Sequence, residues 1–303
     1  PGAKHNKAKY TSNKTHYSPT DPDARISVKP GKARKLNYLS QMAVDTEEHV
    51  ITHIHADYAD KKDSQCLPQI VNKLQWRLHR MGLKWKYLPA DTGYSSGENY
   101  AFLEEKGIEG YIPPHGTYKG GPEGFTYHKE GDYWLCRNNK KVTFRKITIE
   151  KNKNNNKKKL YLTRLSDCKG CPYKTECAGK APEKRITITI YKEEYERAIE
   201  RINSSKGKHM KKKRQSTVEP VFGSLTNYYG MRKVNTIGIE QANKVMMMAA
   251  TAYNIKKYLK FKIKPLKNQA VKAKDSFSCL LAQIWSILSS FKLTKFFAPI
   301  IVL

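Results

Sequence analysis

The order of elements over residues 86–112 constrains the fold of this chain more than any other part of its sequence. A short apolar strand, a segment with helical spacing and a second apolar strand follow one another: Lys86–Ala90, Ser95–Lys106 and Ile108–Ile112. Ser95 and Glu98 fit a capping box at the start of the helix, and Gly107 is typical of a helix end. Two strands joined by a helix pair in parallel, so the pattern predicts an α/β fold.

The pattern ahead of this unit predicts a β-hairpin and a helix. The strands are Leu36–Val44 and His49–His55, with a turn at residues 45–48 between them. Apolar residues at helical spacing predict a helix over Leu67–Met81, which Gly82 ends. His53 and His55 lie on one face of the second strand, where buried, hydrogen-bonded histidines are commoner than ligands of metal or phosphate.

Residues 113–190 break the α/β pattern and predict a β-rich insertion. Its short strands are Phe125–Tyr127, Tyr133–Cys136, Lys141–Ile149, Leu160–Leu165 and Arg185–Tyr191, with a Lys- and Asn-rich loop at residues 151–159. Several aromatic residues alternate with basic ones and either stack on DNA or pack a small β-domain, and packing is the commoner role: Tyr118, Tyr127, Tyr133, Trp134, Tyr161 and Tyr173. Helical spacing returns at Lys192–Ile202, Val218–Tyr229 and Ile239–Tyr258.

These patterns divide the chain into five segments. They are a basic arm with one turn at residues 20–23 (1–35), the first part of the α/β domain (36–112), the insertion (113–190), the second part of the α/β domain (191–260), and a basic linker over 262–274 with an amphipathic helix over 276–296 (261–303).

The charge balance indicates a polyanionic partner. The chain has 57 Lys and Arg residues against 27 Asp and Glu residues, a formal net charge of +30. Self-repulsion of that size works against a compact state unless a counter-charge is expected, which makes an ordinary solvated surface the weaker explanation. No secretory signal or membrane span is evident, so we expect a cytoplasmic protein with reduced cysteines.

Two carboxylates stand out by their position. Asp91 ends the first strand of the β-α-β unit, where open α/β sheets bind their ligands, although Asp before Gly is also a common turn former. Glu219 follows Thr217, a candidate helix cap, and precedes Pro220, so it is expected near a helix N-terminus, where the alternative role is only to complement the dipole. The segment just before it is strongly basic and is expected to contact a DNA backbone through Lys206, Lys208, Lys211, Lys212, Lys213 and Arg214.

Two motifs carry a family resemblance. Ala-Asp-Thr-Gly-Tyr-Ser-Ser-Gly-Glu-Asn at residues 90–99 resembles the second-Asp motif of insertion-sequence transposases of the DDE class. Val-Glu-Pro-Val-Phe-Gly-Ser-Leu-Thr, followed by Gly-Met-Arg, at residues 218–232 resembles their Glu motif. With the Thr-Asp-Pro-Asp-Ala-Arg segment at 20–25 and Tyr-Asn-Ile-Lys at 253–256, the resemblance spans about residues 18–260 in consistent order.

The resemblance implies a ribonuclease-H-like mixed sheet with flanking helices, interrupted by the insertion. It also implies a two-metal Mg²⁺ site in which Asp91 and Glu219 are the second and third ligands. The first Asp of the family lies on a strand before the hairpin. Residues 1–17 contain no Asp, so we expect that ligand upstream of Pro1 in an N-terminally truncated chain. Asp45 is the nearest internal substitute, but hairpin turns select Asp for backbone reasons.

A cysteine pattern in the insertion predicts a second metal. Cys168 and Cys171 share one tight turn, and Cys177 and Cys136 would complete a tetrahedral structural Zn²⁺ site. The alternative is four reduced, buried thiols. Similar transposases favour the zinc knuckle. Cys66 and Cys279 are expected to serve only in packing.

We therefore expect a DNA transposase catalytic domain that cleaves and transfers strands at the ends of an insertion sequence. Its partners would be the double-stranded DNA of transposon ends and target, together with further copies of itself on DNA, and it would not bind a membrane. One alternative is a catalytically dead remnant that only binds DNA. Another is a Cys-rich RNA-binding protein, which leaves the motifs at Asp91 and Glu219 unexplained.

Overall fold

The computed structural model describes residues 12–27, 35–116, 118–150 and 156–290. Residues 1–11 and 28–34 of the expected basic arm, residues 151–155 of the expected loop and residues 291–296 of the expected amphipathic helix lie outside these ranges. Within them the chain forms three hydrogen-bonded sheets and several helices, so the expected α/β class is confirmed.

The predicted hairpin is the first of these sheets. Strands β2 (Leu36–Val44) and β3 (Ile51–Tyr58) pair antiparallel, and the short β1 (Arg25–Ile26) pairs with the start of β2. Helix α1 (Asp63–Arg80) contacts the hairpin, and Gly82 follows it at φ +69°, a conformation that favours glycine. Both the hairpin and the helix were predicted from periodicity.

The segment around residues 20–26 belongs to the fold and is not part of an extended arm. The carboxylate of Asp21 accepts hydrogen bonds from the Tyr38 hydroxyl at 2.7 Å and from the Gly238 N–H at 3.1 Å. Asp23 accepts from the N–H of Ile239 at 3.1 Å. Two acids thus accept hydrogen bonds from backbone N–H groups at the start of a helix. The basic composition of this segment gave no indication of that role.

The predicted β-α-β unit is confirmed, and its two strands pair in parallel. Strands β4 (Tyr87–Pro89) and β5 (Glu109–Tyr111) pair in parallel and are joined by helix α2 (Gly97–Glu105). The predicted capping residue was wrong by one position. Ser96 accepts from the N–H of Asn99 at 3.1 Å, whereas the Ser95 hydroxyl lies 3.0 Å from the Tyr100 hydroxyl.

The insertion is a five-stranded antiparallel meander. Its strands are β6 (Phe125–His128), β7 (Tyr133–Cys136), β8 (Lys141–Glu150), β9 (Asn156–Leu162) and β10 (Arg185–Thr189), and they neighbour one another in chain order. Two short helices, α3 (Leu165–Cys168) and α4 (Lys174–Cys177), lie between the last two strands. Trp134 and Tyr161 are buried in its core with Val142 and Ile186, so these two aromatic residues pack the domain, as the commoner interpretation held.

Three helices complete the described part of the chain: α5 (Lys192–Asn203), α6 (Ser205–Tyr228) and α7 (Ile239–Ser290). Helix α6 was predicted wrongly at its start. It begins at Ser205, and Ser204 caps it by accepting from the N–H of Gly207 at 3.0 Å. Thr217 is a buried helix-interior residue whose hydroxyl donates to the Lys213 carbonyl at 2.7 Å. Glu219 is therefore not near a helix N-terminus.

Helix α7 also differs from the prediction. It continues to Ser290, so residues 262–274 are helical where a linker was expected, and the helix is not detached. Its first half packs on the hairpin, with Ala242, Met246 and Ala249 against Ile54 and Ala56. None of the helices that the structure describes is long and apolar enough to cross a bilayer.

Several buried polar groups lie where the hairpin packs against α1. The rings of His53 and His55 lie 3.0 Å apart (Nε2 to Nδ1), and the His55 ring is 3.6 Å from the buried carboxylate of Asp57. The thiol of Cys66 on α1 donates to that carboxylate at 3.3 Å. Burial, followed by the nearby charges of His55 and Arg77, lowers the pKa of His53 to about 4. These histidines are buried and hydrogen-bonded, as expected.

Candidate active site

Asp91 lies at the carboxyl end of β4. It immediately precedes a 3₁₀ turn over Thr92–Tyr94, and 64 % of its side chain is exposed. No turn N–H is bonded to its carboxylate, so the turn-former role considered for this residue is not what fixes its side chain. The carboxylate is presented to solvent by the end of a strand.

Hydrogen bonds to neighbouring elements fix the residues that follow Asp91. The Tyr94 hydroxyl donates to the amide oxygen of Gln41, which is buried on β2, and the Gln41 amide donates to Asp63 at 3.3 Å. Burial raises the pKa of Tyr94, and the nearby carboxylates raise it further, which keeps its hydroxyl a donor. A Cβ at position 93 would lie 2.7 Å from the Asp63 carboxylate, so only glycine fits without displacing it.

Two further positions of the 90–99 motif have structural roles. The side-chain amide of Asn99 donates to the carbonyls of Tyr94 and Ser64, each at 2.8 Å, and ties the turn to the start of α1. A Cβ at Gly97 would lie 2.5 Å from the Cβ of Tyr191. The motif thus fixes the turn after Asp91. Neighbouring side chains pack closely against its two glycines, and a series of hydrogen bonds ties it to the rest of the domain.

Glu219 is carried to the same place by helix α6. This helix contacts β2, β4 and β5, and its inner face is fixed by Thr217, Val221 and Leu225, which are all at most 1 % exposed. The Glu219 side chain, by contrast, is 64 % exposed. Burial on one face therefore orients the helix so that Glu219 stands on an open face.

Arg214 joins the two acids. One nitrogen of its guanidinium, Nη2, lies 3.8 Å from Asp91 and 3.7 Å from Glu219, and only 18 % of the side chain is exposed. Two carboxylates that lie 128 positions apart in sequence therefore meet at one cation. Because both carboxylates are mostly exposed, their attraction to Arg214 is only weakly stabilising, and the arrangement bears more on function than on stability.

A third acid does not join this pair within the described ranges. No group of three or more His, Cys, Asp or Glu side chains among the described residues is arranged to hold a metal ion. Asp45 serves the hairpin turn, because its carboxylate accepts the N–H groups of Glu47 and Glu48 at 3.1 and 2.7 Å. This is the backbone role expected for an acid in a hairpin turn.

The basic residues of α6 fall into two groups. Lys206 lies 3.8 Å from the ring centre of Tyr87 and 3.3 Å from Glu109, and Lys213 pairs with Glu47. Together with Arg214, these side chains are engaged within the chain. The other three are exposed and form no ion pair with any described acid; we refer to Lys208, Lys211 and Lys212 as the exposed lysine triplet.

Comparison with known proteins bears on this region. Residues 135–259 match a family model described as a transposase DDE domain. This part of the chain is therefore similar to a transposase DDE domain. The match includes Glu219, Arg214 and most of the insertion, whereas Asp91 lies before it. Neither the curated proteins nor the solved structures provide a match.

Four thiols of the insertion lie near one another. Burial raises the pKa of the Cys177 thiol; the other three thiols act in the same direction and Lys184 in the opposite one. Gly170, at φ +74°, forms the turn between Cys168 and Cys171, and the Asn138 amide reaches the Cys171 sulfur at 3.8 Å. We call Cys136, Cys168, Cys171 and Cys177 the cysteine cluster. The four thiols form no disulfide, and among the described residues they are not arranged in the geometry of a metal site.

The sequence indicated the two acids of this site, but it did not indicate the residues that hold them in place. The role of Arg214 between the acids was not anticipated, although a basic residue close to Glu219 in sequence was a signal for it. Gln41 and Asp63 were not singled out, because nothing in a single sequence links a hairpin strand to a turn more than fifty residues later.

Proposed function

We propose that this chain is the catalytic domain of an insertion-sequence transposase that cleaves phosphodiester bonds and transfers DNA strands with the help of divalent metal ions. The observation that carries the proposal is the convergence of Asp91 and Glu219 on one cation at the end of β4. The transposase DDE match over residues 135–259 supports the same reaction class.

The donor set suits Mg²⁺. Carboxylate oxygens are the ligands that this ion prefers, both acids are exposed, and the guanidinium between them marks a position where positive charge is favoured. In a two-metal site the ions activate the attacking oxygen and stabilise the leaving one. Asp91 and Glu219 would hold these ions. We propose that a third carboxylate, which the family resemblance puts on a strand before the hairpin, completes the set.

A ribonuclease-H-like sheet is part of this proposal. The antiparallel sheet β1-β2-β3 and the parallel pair β4-β5 are separate in hydrogen bonding within the described residues. However, α6 contacts β2, β4 and β5, so both sheets lie under one helix. A strand between β2 and β4 that carried the third acid would join them into the mixed sheet that the resemblance implies.

DNA is the proposed substrate. The net charge of +30 and the exposed lysine triplet favour a polyanion, because each phosphate that is neutralised releases condensed counterions. The lysines precede Glu219 on the same helix, which would bring the bound backbone toward the acids. We expect several copies of the domain to assemble on transposon ends, and a structural Zn²⁺ to be held by the cysteine cluster.

The second candidate is a remnant that binds DNA without cutting it. The observation that favours it is the presence of only two acids at the site within the described residues. The two candidates differ in one respect that can be measured, which is cleavage by the full-length gene product with Mg²⁺ or Mn²⁺.

The test compares charge-neutral variants at the site with a matched control. Asp91→Asn and Glu219→Gln should abolish cleavage and leave DNA binding intact, because they remove metal ligands and no exposed base. Glu176→Gln makes the same charge change at an exposed residue of the insertion and should cleave normally. Cleavage that survives either site substitution would remove the proposed mechanism. A wild-type protein that binds DNA and never cleaves it would favour the remnant.

A further inference from the structure

The guanidinium of Arg214 lies between the two carboxylates that would hold a metal ion. It lies within 3.8 Å of both acids, and its side chain is far less exposed than theirs. It reaches Glu219 from five positions earlier on α6, and it reaches Asp91 across the gap to the end of β4. A cation and a divalent ion cannot use the same oxygens at once, and they also repel each other.

Arginine is suited to leave this position for a phosphate. Its planar guanidinium forms paired hydrogen bonds with phosphate as readily as with carboxylate. Lys211, a member of the exposed lysine triplet, stands three positions before it on α6. The two side chains are therefore neighbours on the helix surface, and a DNA backbone bound at Lys211 comes within reach of the guanidinium. The contacts with Asp91 and Glu219 are longer than ordinary charge-assisted hydrogen bonds, which is consistent with a side chain that can be released.

We propose that Arg214 is a displaceable internal cation. Without DNA it holds Asp91 and Glu219 together and competes with divalent metal. When DNA binds, a backbone phosphate draws the guanidinium away and frees the carboxylates for metal. Metal and DNA therefore bind cooperatively, and because linkage is reciprocal each raises the affinity of the other by the same factor. This inference rests on the proposed function, since it assumes that the acids bind metal.

Its test measures Mn²⁺ binding directly, by calorimetry or electron paramagnetic resonance, with the full-length gene product and without any assay of cleavage. In the wild type, a short DNA duplex should raise the Mn²⁺ affinity by a factor of about 5 or more, the range typical of coupled sites. Arg214→Gln should raise the affinity in the absence of DNA to near the DNA-bound value of the wild type, and the duplex should then add little.

Two variants separate competition at the site from general charge. Lys233→Gln removes the same charge from an exposed position outside α6, and it should change Mn²⁺ affinity by less than about twofold without DNA, because exposed charges are screened. Arg214→Lys keeps the charge and should keep the DNA-free affinity low. A merely structural arginine would instead give Arg214→Gln and Arg214→Lys similar decreases in thermal stability and no increase in metal affinity.

The outcomes distinguish displacement of Arg214 from metal binding by the two acids. If Mn²⁺ binding depends on Asp91 and Glu219 but Arg214→Gln neither raises it nor removes the coupling to DNA, displacement of Arg214 is wrong and the metal site stands. If Asp91→Asn and Glu219→Gln leave Mn²⁺ binding unchanged, the proposed function itself fails. Equal increases in Arg214→Gln and Lys233→Gln would reduce the effect to net charge and would also overturn displacement.

Discussion

Gly207 lies at the start of the helix that carries Glu219, and it has no room for a side chain. A Cβ there would lie 2.3 Å from the Arg201 carbonyl oxygen and 2.4 Å from the Ile202 carbonyl oxygen, both of them backbone atoms at the end of α5. The Arg201 side chain is bonded to Glu104 at 2.9 Å and to the Gly110 carbonyl at 3.1 Å, so α5 is fastened to the β-α-β unit. Relief of the clash therefore requires a movement of one helix against the other.

Gly207→Ala should destabilise the protein, and Gly223→Ala on the same helix should stabilise it. Alanine is better than glycine in a helix by about 0.5–1 kcal/mol, and a Cβ at Gly223 meets nothing within 4 Å, so that benefit is realised there. At Gly207 the benefit is outweighed by an overpacking cost of about 1–3 kcal/mol. We expect the free energies of unfolding of the two variants to differ by roughly 2 kcal/mol.

Urea unfolding measures this difference without reference to activity. The midpoint of Gly207→Ala should fall and that of Gly223→Ala should rise, with the slope of the transition unchanged. If Gly207→Ala unfolds at the same or a higher urea concentration than Gly223→Ala, the tight junction of α5 and α6 is not a constraint. The position assigned to Glu219 by that junction would then lose its support.

Three further results are expected. Because burial lowers the folded-state pKa of His53 to about 4, the unfolded state binds protons first as the pH falls. Stability measured by urea unfolding should therefore drop between about pH 6.5 and pH 4, by up to about 3 kcal/mol from His53, which adds no further loss below that range; a flat profile between these pH values would contradict this. If the cysteine cluster holds zinc, protein purified without chelators should contain about one zinc per chain, and Cys168→Ser should lose it while Cys66→Ser should not; metal-free protein would disprove the site. Replacing the exposed lysine triplet with Gln should reduce the salt dependence of duplex DNA binding, by about 0.9 in the logarithmic slope for each phosphate that is no longer neutralised, and an unchanged slope would show that these lysines do not bind DNA.

Local periodicity was enough to predict most of the elements. The hairpin, α1, the parallel β-α-β unit and the strands of the insertion follow from spacings of two or 3.6 residues and from glycine at helix ends. The site was only partly predictable. Asp91 and Glu219 were found as motifs, but their approach to each other through Arg214 depends on the packing of α6 across β2, β4 and β5, which no local pattern encodes.

The error at the start of α6 shows why a helix boundary can decide a functional argument. Thr217 followed by Pro220 is the usual pattern of a helix start, but the Thr217 hydroxyl bonds back to the carbonyl of Lys213 and Pro220 is accommodated inside the helix. If the helix began at residue 218, the basic run and Glu219 would have no fixed relation.

Because α6 begins at Ser205 instead, the relation between the lysines and Glu219 is set by helix geometry. Lys208 and Glu219 are eleven residues apart, which is close to three whole turns, so they lie on the same side of the helix at a separation of about 16 Å. Lys211 and Lys212 flank that line one turn from Lys208. A DNA strand that follows the exposed lysine triplet is thereby directed along the helix toward Glu219 and, through Arg214, toward Asp91. One continuous helix thus links the proposed binding of the DNA backbone to the proposed chemistry on it.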